Sequence, residues 1–377
     1  MVFRWFMRRW ALAALWFRFR KKQMVFHASP PLERGAILAV NHQNAVLDSI
    51  TLAAISPKTP FTLSRASLFD HPILRLLLPP LQMIPIFRFR DGFGKMRRNP
   101  EALRQFSDLL RDGEWLAIYP EGSHLIKHTL RPLQKGVARI VFAAQEAQGW
   151  DREVPIIPVG LQYEHHTHFG ARLLIQFGST ISSLDFKEAH AENARRAERE
   201  LTDRVFEGIK PLLILPPQDE AGYQAAVERM EANRGRFTDL MDQFRSDQEV
   251  VAEVVREGVE AGSPSGVGGS EGGGRPVVSR RESGLKRLLG QVLSLPGQLL
   301  HLPAILIAGA VVAISTNDTH LAPSTRFLTG MFLFPVWYLV VAALIHLQFR
   351  SLALDLLGLL VMPSSLWLWS RFGHWKW

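Results

Sequence analysis

Short apolar runs alternate with amphipathic segments between residues 29 and 215. Six of these runs have the length and composition of buried strands, namely 36–40, 61–64, 84–87, 115–119, 155–161 and 172–177. Asn99-Pro100-Glu101 predicts a helix start between two of them, and a second helix is expected after Gly136. The alternation predicts an α/β fold with a mostly parallel central sheet flanked by helices.

Longer apolar runs occupy the C-terminal part of the chain. Residues 327–345 contain no charge, residues 352–369 contain one, and a shorter run covers 302–314. Because a bilayer span needs about 20 apolar residues, the two longer runs predict a transmembrane hairpin and the shorter one an interfacial helix. Pro335 and Pro363 leave a re-entrant pair open, and buried core helices are a further alternative.

The N-terminal segment combines basic and aromatic residues. Residues 1–28 hold seven arginines and lysines, and the first acidic residue is Glu33. This pattern predicts an interfacial helix on an anionic membrane. Arginines interrupt the apolar stretch, which argues against a cleaved signal peptide. Binding of single-stranded nucleic acid is the alternative, but the apolar C-terminal runs favour the membrane, so we expect no nucleic-acid partner.

These patterns divide the chain into four regions. A basic aromatic membrane-interface helix at 1–28 precedes an α/β domain with a helical extension at 29–250. Residues 251–285 are rich in Gly and Ser and predict a flexible linker. Residues 286–377 predict membrane-associated helices.

Composition limits the chemistry. The 377 residues are 47% hydrophobic and 21% charged, with a net charge of +9 and no cysteine. The mean hydropathy of +0.03 averages an α/β domain with an apolar C-terminal region. Without cysteine the chain can form neither disulfides, nor thiolate zinc sites, nor a cysteine acyl-enzyme. Covalent chemistry would need another nucleophile, or none.

His42 and Asp48 form the first candidate for chemistry. His42 follows a predicted strand, and Asp48 lies just inside the next helix. Open α/β sheets bind ligands at this edge. The acid could hold one ring nitrogen while the other takes a proton from a substrate hydroxyl. The alternative is a structural histidine beside a capping aspartate.

Two further polar segments follow predicted strands. Residues 120–124 read PEGSH. Further on, Lys135 and Gly136 precede a predicted helix, and a cation and a glycine at a helix N-terminus can bind a phosphate. Arg88 and Arg90 end another strand, and their guanidinium groups could also bind phosphate.

Together these blocks resemble a known family. NHQNAVLD, MIPIFR, YPEGSH and VPIIPVG stand in the order found in glycerolipid acyltransferases of the lysophosphatidic-acid and glycerol-3-phosphate type, over residues 35–180. Two features differ from the family pattern. Five residues separate His42 from Asp48 instead of four, and His124 replaces the usual arginine. Both features resemble the glycerol-3-phosphate and dihydroxyacetone-phosphate branch, so they bear on the identity of the acceptor more than on the reaction.

The resemblance implies roles for individual residues. His42 would be the general base and Asp48 its orienting partner, so that the acceptor hydroxyl attacks an acyl thioester directly. Arg88 would bind the acceptor phosphate, and Glu121 with Gly122 would shape the acceptor pocket. Charge and position add the remaining substrate-binding candidates, Arg90, Ser123 and Lys135. We expect no metal, and no cofactor beyond acyl-CoA or acyl-ACP as co-substrate.

The implied function is a membrane-bound O-acyltransferase in phospholipid synthesis. It would move a fatty acyl chain from acyl-carrier protein or coenzyme A to a glycerol phosphate or lysophospholipid hydroxyl, as a 1-acylglycerol-3-phosphate acyltransferase does. A catalytically silent lipid-binding or scaffold protein on the same fold is the alternative. We expect an inner or plasma membrane location with the catalytic domain on the cytoplasmic side, since Arg326 and Arg371 flank the predicted hairpin.

Three neighbouring histidines suggest a metal site, but the sequence favours a solvated loop. His165, His166 and His168 fall in the segment YEHHTHFG. Adjacent side chains on a strand point to opposite faces, and no carboxylate stands nearby at zinc spacing. We therefore expect a solvated loop.

Overall fold

Strands from the whole length of the α/β region form one mixed sheet. The computed structural model describes residues 2–70, 75, 78–86, 99–261, 284–315 and 322–372. Its strands are β1 Phe19–Phe26, β2 Ala36–Val40, β3 Phe61–Arg65, β4 Met83–Ile86, β5 Trp115–Ile118, β6 Pro155–Tyr163, β7 Ala171–Phe177 and β8 Ile181–Ser182. Their order is β1-β7-β6-β2-β5-β3-β4, with β8 beside β6. The mostly parallel sheet flanked by helices is confirmed.

The central strand β2 explains the position of the candidate site. All five of its residues are apolar and buried, as expected for a strand covered on both faces. It pairs in parallel with β5 and with the first half of β6. The second half of β6 continues beyond β2 and pairs antiparallel with β7. Tyr163, at the end of β6, therefore extends past the end of β2.

Helices cover both faces of the sheet and continue into the C-terminal region. They are α1 Val2–Arg18, α2 Ala45–Ile55, α3 Asn99–Arg111, α4 Gly136–Ala147, α5 Lys187–Glu192, α6 Ala194–Ile209, α7 Glu220–Ala232, α8 Leu240–Ala261, α9 Gly284–Ser315, α10 Ala322–Phe349 and α11 Leu352–Phe372. Side chains of α3, α4 and α6 fill the core on one face. Those of α1, α2 and the first turns of α10 fill it on the other.

Two predicted boundaries differ from the structure. The N-terminal helix ends at Arg18, and the basic segment Phe19–Phe26 is strand β1, where a helix to residue 28 was expected. Phe19 is fully buried and the strand pairs with β7, so tertiary pairing outweighs the unfavourable basic composition. At the other boundary, helix α8 continues to Ala261, into the predicted linker.

Most basic side chains of the N-terminal segment bind other parts of the protein. Arg8 donates to the carbonyls of Ala54 and Ser56 at 3.1 and 2.7 Å and so caps the end of α2. Arg18 is buried and donates to the carbonyls of His166 and His168. Burial lowers its pKa to about 10. The prediction that the basic residues of this segment face a bilayer is wrong for these two.

The C-terminal helices form an antiparallel bundle. Three segments, Val292–Ile314, Ala322–Phe349 and Leu352–Arg371, are long and apolar enough to cross a membrane. The first is longer than the predicted interfacial run at 302–314. The bundle also touches the α/β domain, because Phe327 of α10 lies in the core with α1 and α2.

Candidate active site

The end of β2 is fixed to its neighbour by one asparagine. The amide group of Asn41 donates to the carbonyl of Leu161 at 3.2 Å and accepts from the backbone N–H of the same residue at 2.7 Å. Asn41 is fully buried. This pair of bonds sets where the turn from β2 to α2 begins, and His42 is the next residue.

The turn brings His42 and Asp48 together. Nδ1 of His42 lies 2.8 Å from Oδ2 of Asp48, which is fully buried. A carboxylate only accepts, so Nδ1 carries the hydrogen and Nε2 keeps its lone pair. The same Oδ2 accepts the backbone N–H of Asn44 at 2.8 Å, and Oδ1 accepts the hydroxyl of Tyr163 at 2.6 Å. The two side chains thus form a hydrogen bond although five residues, instead of the usual four, separate them.

Glu121 holds the backbone of the histidine. Its Oε1 accepts the N–H of His42 at 2.7 Å, and its Oε2 accepts from the backbone and the Nε of Arg131 at 3.3 and 3.2 Å. Burial raises the pKa of Glu121, while these hydrogen bonds and the charge of Arg131 oppose the rise. Arg131 also donates to Ser123 Oγ at 2.8 Å. Arg131 therefore links Ser123 to Glu121, the residue that binds the His42 backbone.

Aromatic rings limit how the His42 ring can move. The ring of Tyr119 stacks on it with centroids 4.3 Å apart, and His124 meets it edge-on at 5.6 Å. Gly122 has a φ of 73°, a left-handed conformation that favours glycine. The turn after β5 can thus fold back against the histidine.

A large groove opens at His42. Its volume is about 1980 Å³, and His42, Glu121, Gly122 and Ser123 line its polar end. Apolar side chains from α1, α2, α3 and α10 line much of the remainder, among them Phe3, Met7, Ile50, Phe106, Leu328 and Phe332. The groove can hold a polar reacting centre next to a long apolar chain.

The predicted phosphate contacts are only partly described. Lys135 lines the groove at the start of α4, where Lys135 and Arg139 each lie 3.6 Å from Glu198. Gly136 leaves the helix start open, since a Cβ there would meet nothing within 4 Å. Arg88 and Arg90 lie outside the described residues. The substrate-binding roles of these residues stay predictions.

The histidine-rich loop is not solvated as predicted. His166 is buried, and its Nε2 bonds to Oε1 of Gln43 at 2.9 Å. Its carbonyl accepts the side-chain amide of Asn44 at 2.8 Å. The loop therefore supports the two residues that follow His42. Sequence reasoning missed this contact and the role of Tyr163, because both join segments far apart in the chain. It also missed that Arg131 binds Glu121, since no local pattern indicates that pairing.

Comparison with known proteins agrees with the motifs. Residues 18–162 match the family model described as Acyltransferase. Glycerol-3-phosphate O-acyltransferase 1 of Saccharomyces cerevisiae is 30% identical over 102 residues, which are 26% of this chain and 13% of that protein. Glycerol-3-phosphate O-acyltransferase 2 of the same yeast is 26% identical over 136 residues, which are 36% and 18%. The chain thus spans less than a fifth of either relative.

One solved structure is similar to part of this chain. The crystal structure of the 1-acyl-sn-glycerophosphate (LPA) acyltransferase from Thermotoga maritima aligns with a TM-score of 0.39 and 16% identity. The alignment covers 55% of this chain and 78% of that one.

Proposed function

We propose that this chain transfers a fatty acyl group from a thioester to a hydroxyl of a phosphorylated glycerol or lysophospholipid. The match of residues 18–162 to the Acyltransferase family model and the similarity to two glycerol-3-phosphate O-acyltransferases support this proposal. One observation carries the proposal. The hydrogen-bonded pair of His42 and Asp48 lies at the polar end of a groove whose walls are largely apolar.

The geometry supports a direct transfer. His42 Nε2 takes the proton of the acceptor hydroxyl as its oxygen attacks the thioester carbonyl. Asp48 fixes the ring and stabilises the imidazolium that forms. When the tetrahedral intermediate collapses, the C–S bond breaks and the thiolate leaves, taking the proton from His42. The ester and the free thiol are the products, with no acyl-enzyme, in agreement with a chain that has no cysteine.

The groove and the cations suit the two substrates. Its apolar walls can receive the acyl chain. Lys135, which lines the groove at the start of α4 and also pairs with Glu198, is proposed to bind an acceptor phosphate. Arg88 and Arg90 are proposed for the same phosphate from the sequence. Acyl-CoA and acyl-ACP are both proposed donors, because either supplies the thioester. The intact His42–Asp48 pair supports an enzyme over a catalytically silent scaffold protein.

Substitution of the histidine tests the reaction. We expect His42→Ala in the full chain to lower acyl transfer by at least about 100-fold, as loss of a general base does. The assay offers each radiolabelled donor, acyl-CoA and acyl-ACP, to glycerol-3-phosphate, lysophosphatidic acid and other lysophospholipids. His27→Ala is the matched control, because this exposed histidine follows β1, three strands from β2. Wild-type transfer that survives in His42→Ala would exclude His42 as the base.

A further inference from the structure

The first turn of α2 receives no side-chain cap from its own N-cap residue. Asn44 is the N-cap residue, but its side chain accepts no N–H of this helix. Its amide group donates to the carbonyl of His166 instead, at 2.8 Å. The backbone N–H groups of a first helical turn have no partner within the helix and need one from outside it.

A hydroxyl from a different region takes this place. Ser324, in the first turn of α10, accepts the N–H of Leu47 at 3.3 Å. Leu47 is the third residue of α2, which is the position that an N-cap side chain usually binds. Ser324 also donates to the carbonyl of Asn44 at 2.6 Å, and it is buried. The Leu47 N–H shares a second bond with the same carbonyl, at 3.0 Å.

The residue beside this hydroxyl is strained. Ala45 has a φ of 46°, a left-handed conformation that non-glycine residues rarely adopt. Such a conformation persists only where the surroundings hold it. Asn44 on one side of Ala45 and Leu47 on the other both bond to Ser324, while Asp48 accepts the N–H of Asn44. The hydroxyl therefore closes the turn that separates His42 from Asp48.

We propose that Ser324 is a positioning residue, through which the C-terminal apolar helix α10 holds the catalytic turn between His42 and Asp48. Ser324 lies far outside residues 18–162, the part that matches the acyltransferase family model. Phe327 and Met331, one and two turns further along α10, pack in the same core as Leu47 and keep the helix start in place. The kinetic test of this role rests on the proposed function, whereas the hydrogen-exchange test does not.

Three variants of the full-length protein, purified in detergent, test the role of the hydroxyl. Ser324→Ala should lower kcat by about 10- to 100-fold, since small misplacements of a catalytic group have effects of that size. The KM of the acceptor should change little, because Ser324 is not among the residues that line the groove. Ser324→Thr keeps the hydroxyl and should restore most of kcat. Ser364→Ala is the control, because that exposed hydroxyl bonds only within α11, to the carbonyl of Leu360.

Hydrogen exchange gives a readout that does not depend on activity. In Ser324→Ala, amides of residues 41–50 should exchange faster, while those of β6 keep their protection and show that the domain is folded. Ser324→Cys has a similar volume and a weak hydrogen-bonding thiol, so it serves in the same way if the alanine variant fails to fold. Unchanged exchange at residues 41–50 in Ser324→Ala would overturn the positioning role. If the wild-type protein transfers acyl groups, a kcat of Ser324→Ala equal to that of the wild type would overturn it as well. A wild-type protein without any acyl transfer would overturn the proposed function, and exchange would still decide the role of Ser324.

Discussion

At the scale of single residues, the site is defined by what binds Asp48. Its carboxylate accepts three hydrogen bonds, from the ring of His42, the backbone of Asn44 and the hydroxyl of Tyr163. Two of the donors come from the same turn, and the third comes from β6. Asp48 is fully buried, so water cannot replace a lost donor easily. The orientation of His42 therefore depends on a tyrosine that no sequence motif contains.

Removing that hydroxyl should slow the reaction. A hydrogen bond to a charged group is worth about 1.5–3 kcal/mol. If this stabilisation acts fully in the transition state, Tyr163→Phe should lower kcat by about 10- to 100-fold. Tyr223→Phe is the control, because that hydroxyl accepts the backbone N–H of His128 and does not touch Asp48. Steady-state kinetics that are the same for Tyr163→Phe and the wild type would show that the third bond has no catalytic effect.

The sequence located the proposed general base but not the residues that hold it. His42 and Asp48 are predictable because they stand only six positions apart in the sequence, on either side of a strand-to-helix turn. Tyr163 and Ser324 bond from distant segments to Asp48 and to the turn before it, and no local pattern indicates such contacts. Their positions depend on the register of β6 and on how α10 packs, which only the folded chain determines.

At the scale of elements, apolar strands were predictable and a basic one was not. β2 and β5 are continuous apolar runs, buried on both faces. β1 contains Arg20, Lys21 and Lys22, a composition that indicates a surface. Each finds a partner instead: Glu164, the carbonyl of Thr238 and the carbonyl of Leu15. Sequence composition does not show these partners, so the strand was missed.

The loop between β6 and β7 should make the protein sensitive to acid. Burial, with nearby His128 and His165 and the charges of Arg234 and Arg18, lowers the pKa of His166 well below 6.5. The folded state keeps this ring neutral, while the unfolded chain binds a proton below about pH 6.5. The free energy of unfolding therefore falls as the pH falls. The loss is about 1.4 kcal/mol per histidine between pH 7.5 and 5.5.

Replacing the histidine should reduce this loss. His166→Gln retains a donor for Gln43 but cannot be protonated, so its thermal midpoint should fall less than that of the wild type between pH 7.5 and 5.5. Tryptophan fluorescence of the detergent-solubilised protein measures the midpoint. The control variant, His27→Gln, lacks an exposed histidine. Its thermal midpoint should fall between pH 7.5 and 5.5 by as much as that of the wild type. Equal shifts in all three proteins would show that His166 does not determine the acid response.

At the scale of the whole molecule, the chain path restricts how the C-terminal bundle meets the membrane. Ser324 places the start of α10 beside the turn between His42 and Asp48. His301 bonds to Tyr338, while Ala304 packs near Phe334, so α9 runs antiparallel to α10. The start of α9 therefore lies toward the loop between α10 and α11. If that loop crossed the bilayer, residues 262–283 would have to cross it too.

That segment is unsuited to a bilayer. Residues 262–283 carry five charged side chains, and each costs about 2.5–3.5 kcal/mol at the centre of a membrane by insertion scales. We therefore expect the bundle to be embedded from one side, with the loop at Arg350 and Ser351 on the same side as the α/β domain. Prolines inside all three helices are compatible with such a re-entrant arrangement.

The absence of cysteine makes this arrangement testable. Ser351→Cys introduces a single thiol at the loop, and Glu228→Cys places one on the exposed surface of α7 in the domain that holds His42. In sealed vesicles of one orientation, a membrane-impermeant maleimide should label both variants from the same side. The unsubstituted protein has no thiol and gives the background. Labelling of the two thiols from opposite sides would show that α10 and α11 cross the bilayer, as the length of the apolar runs alone predicted.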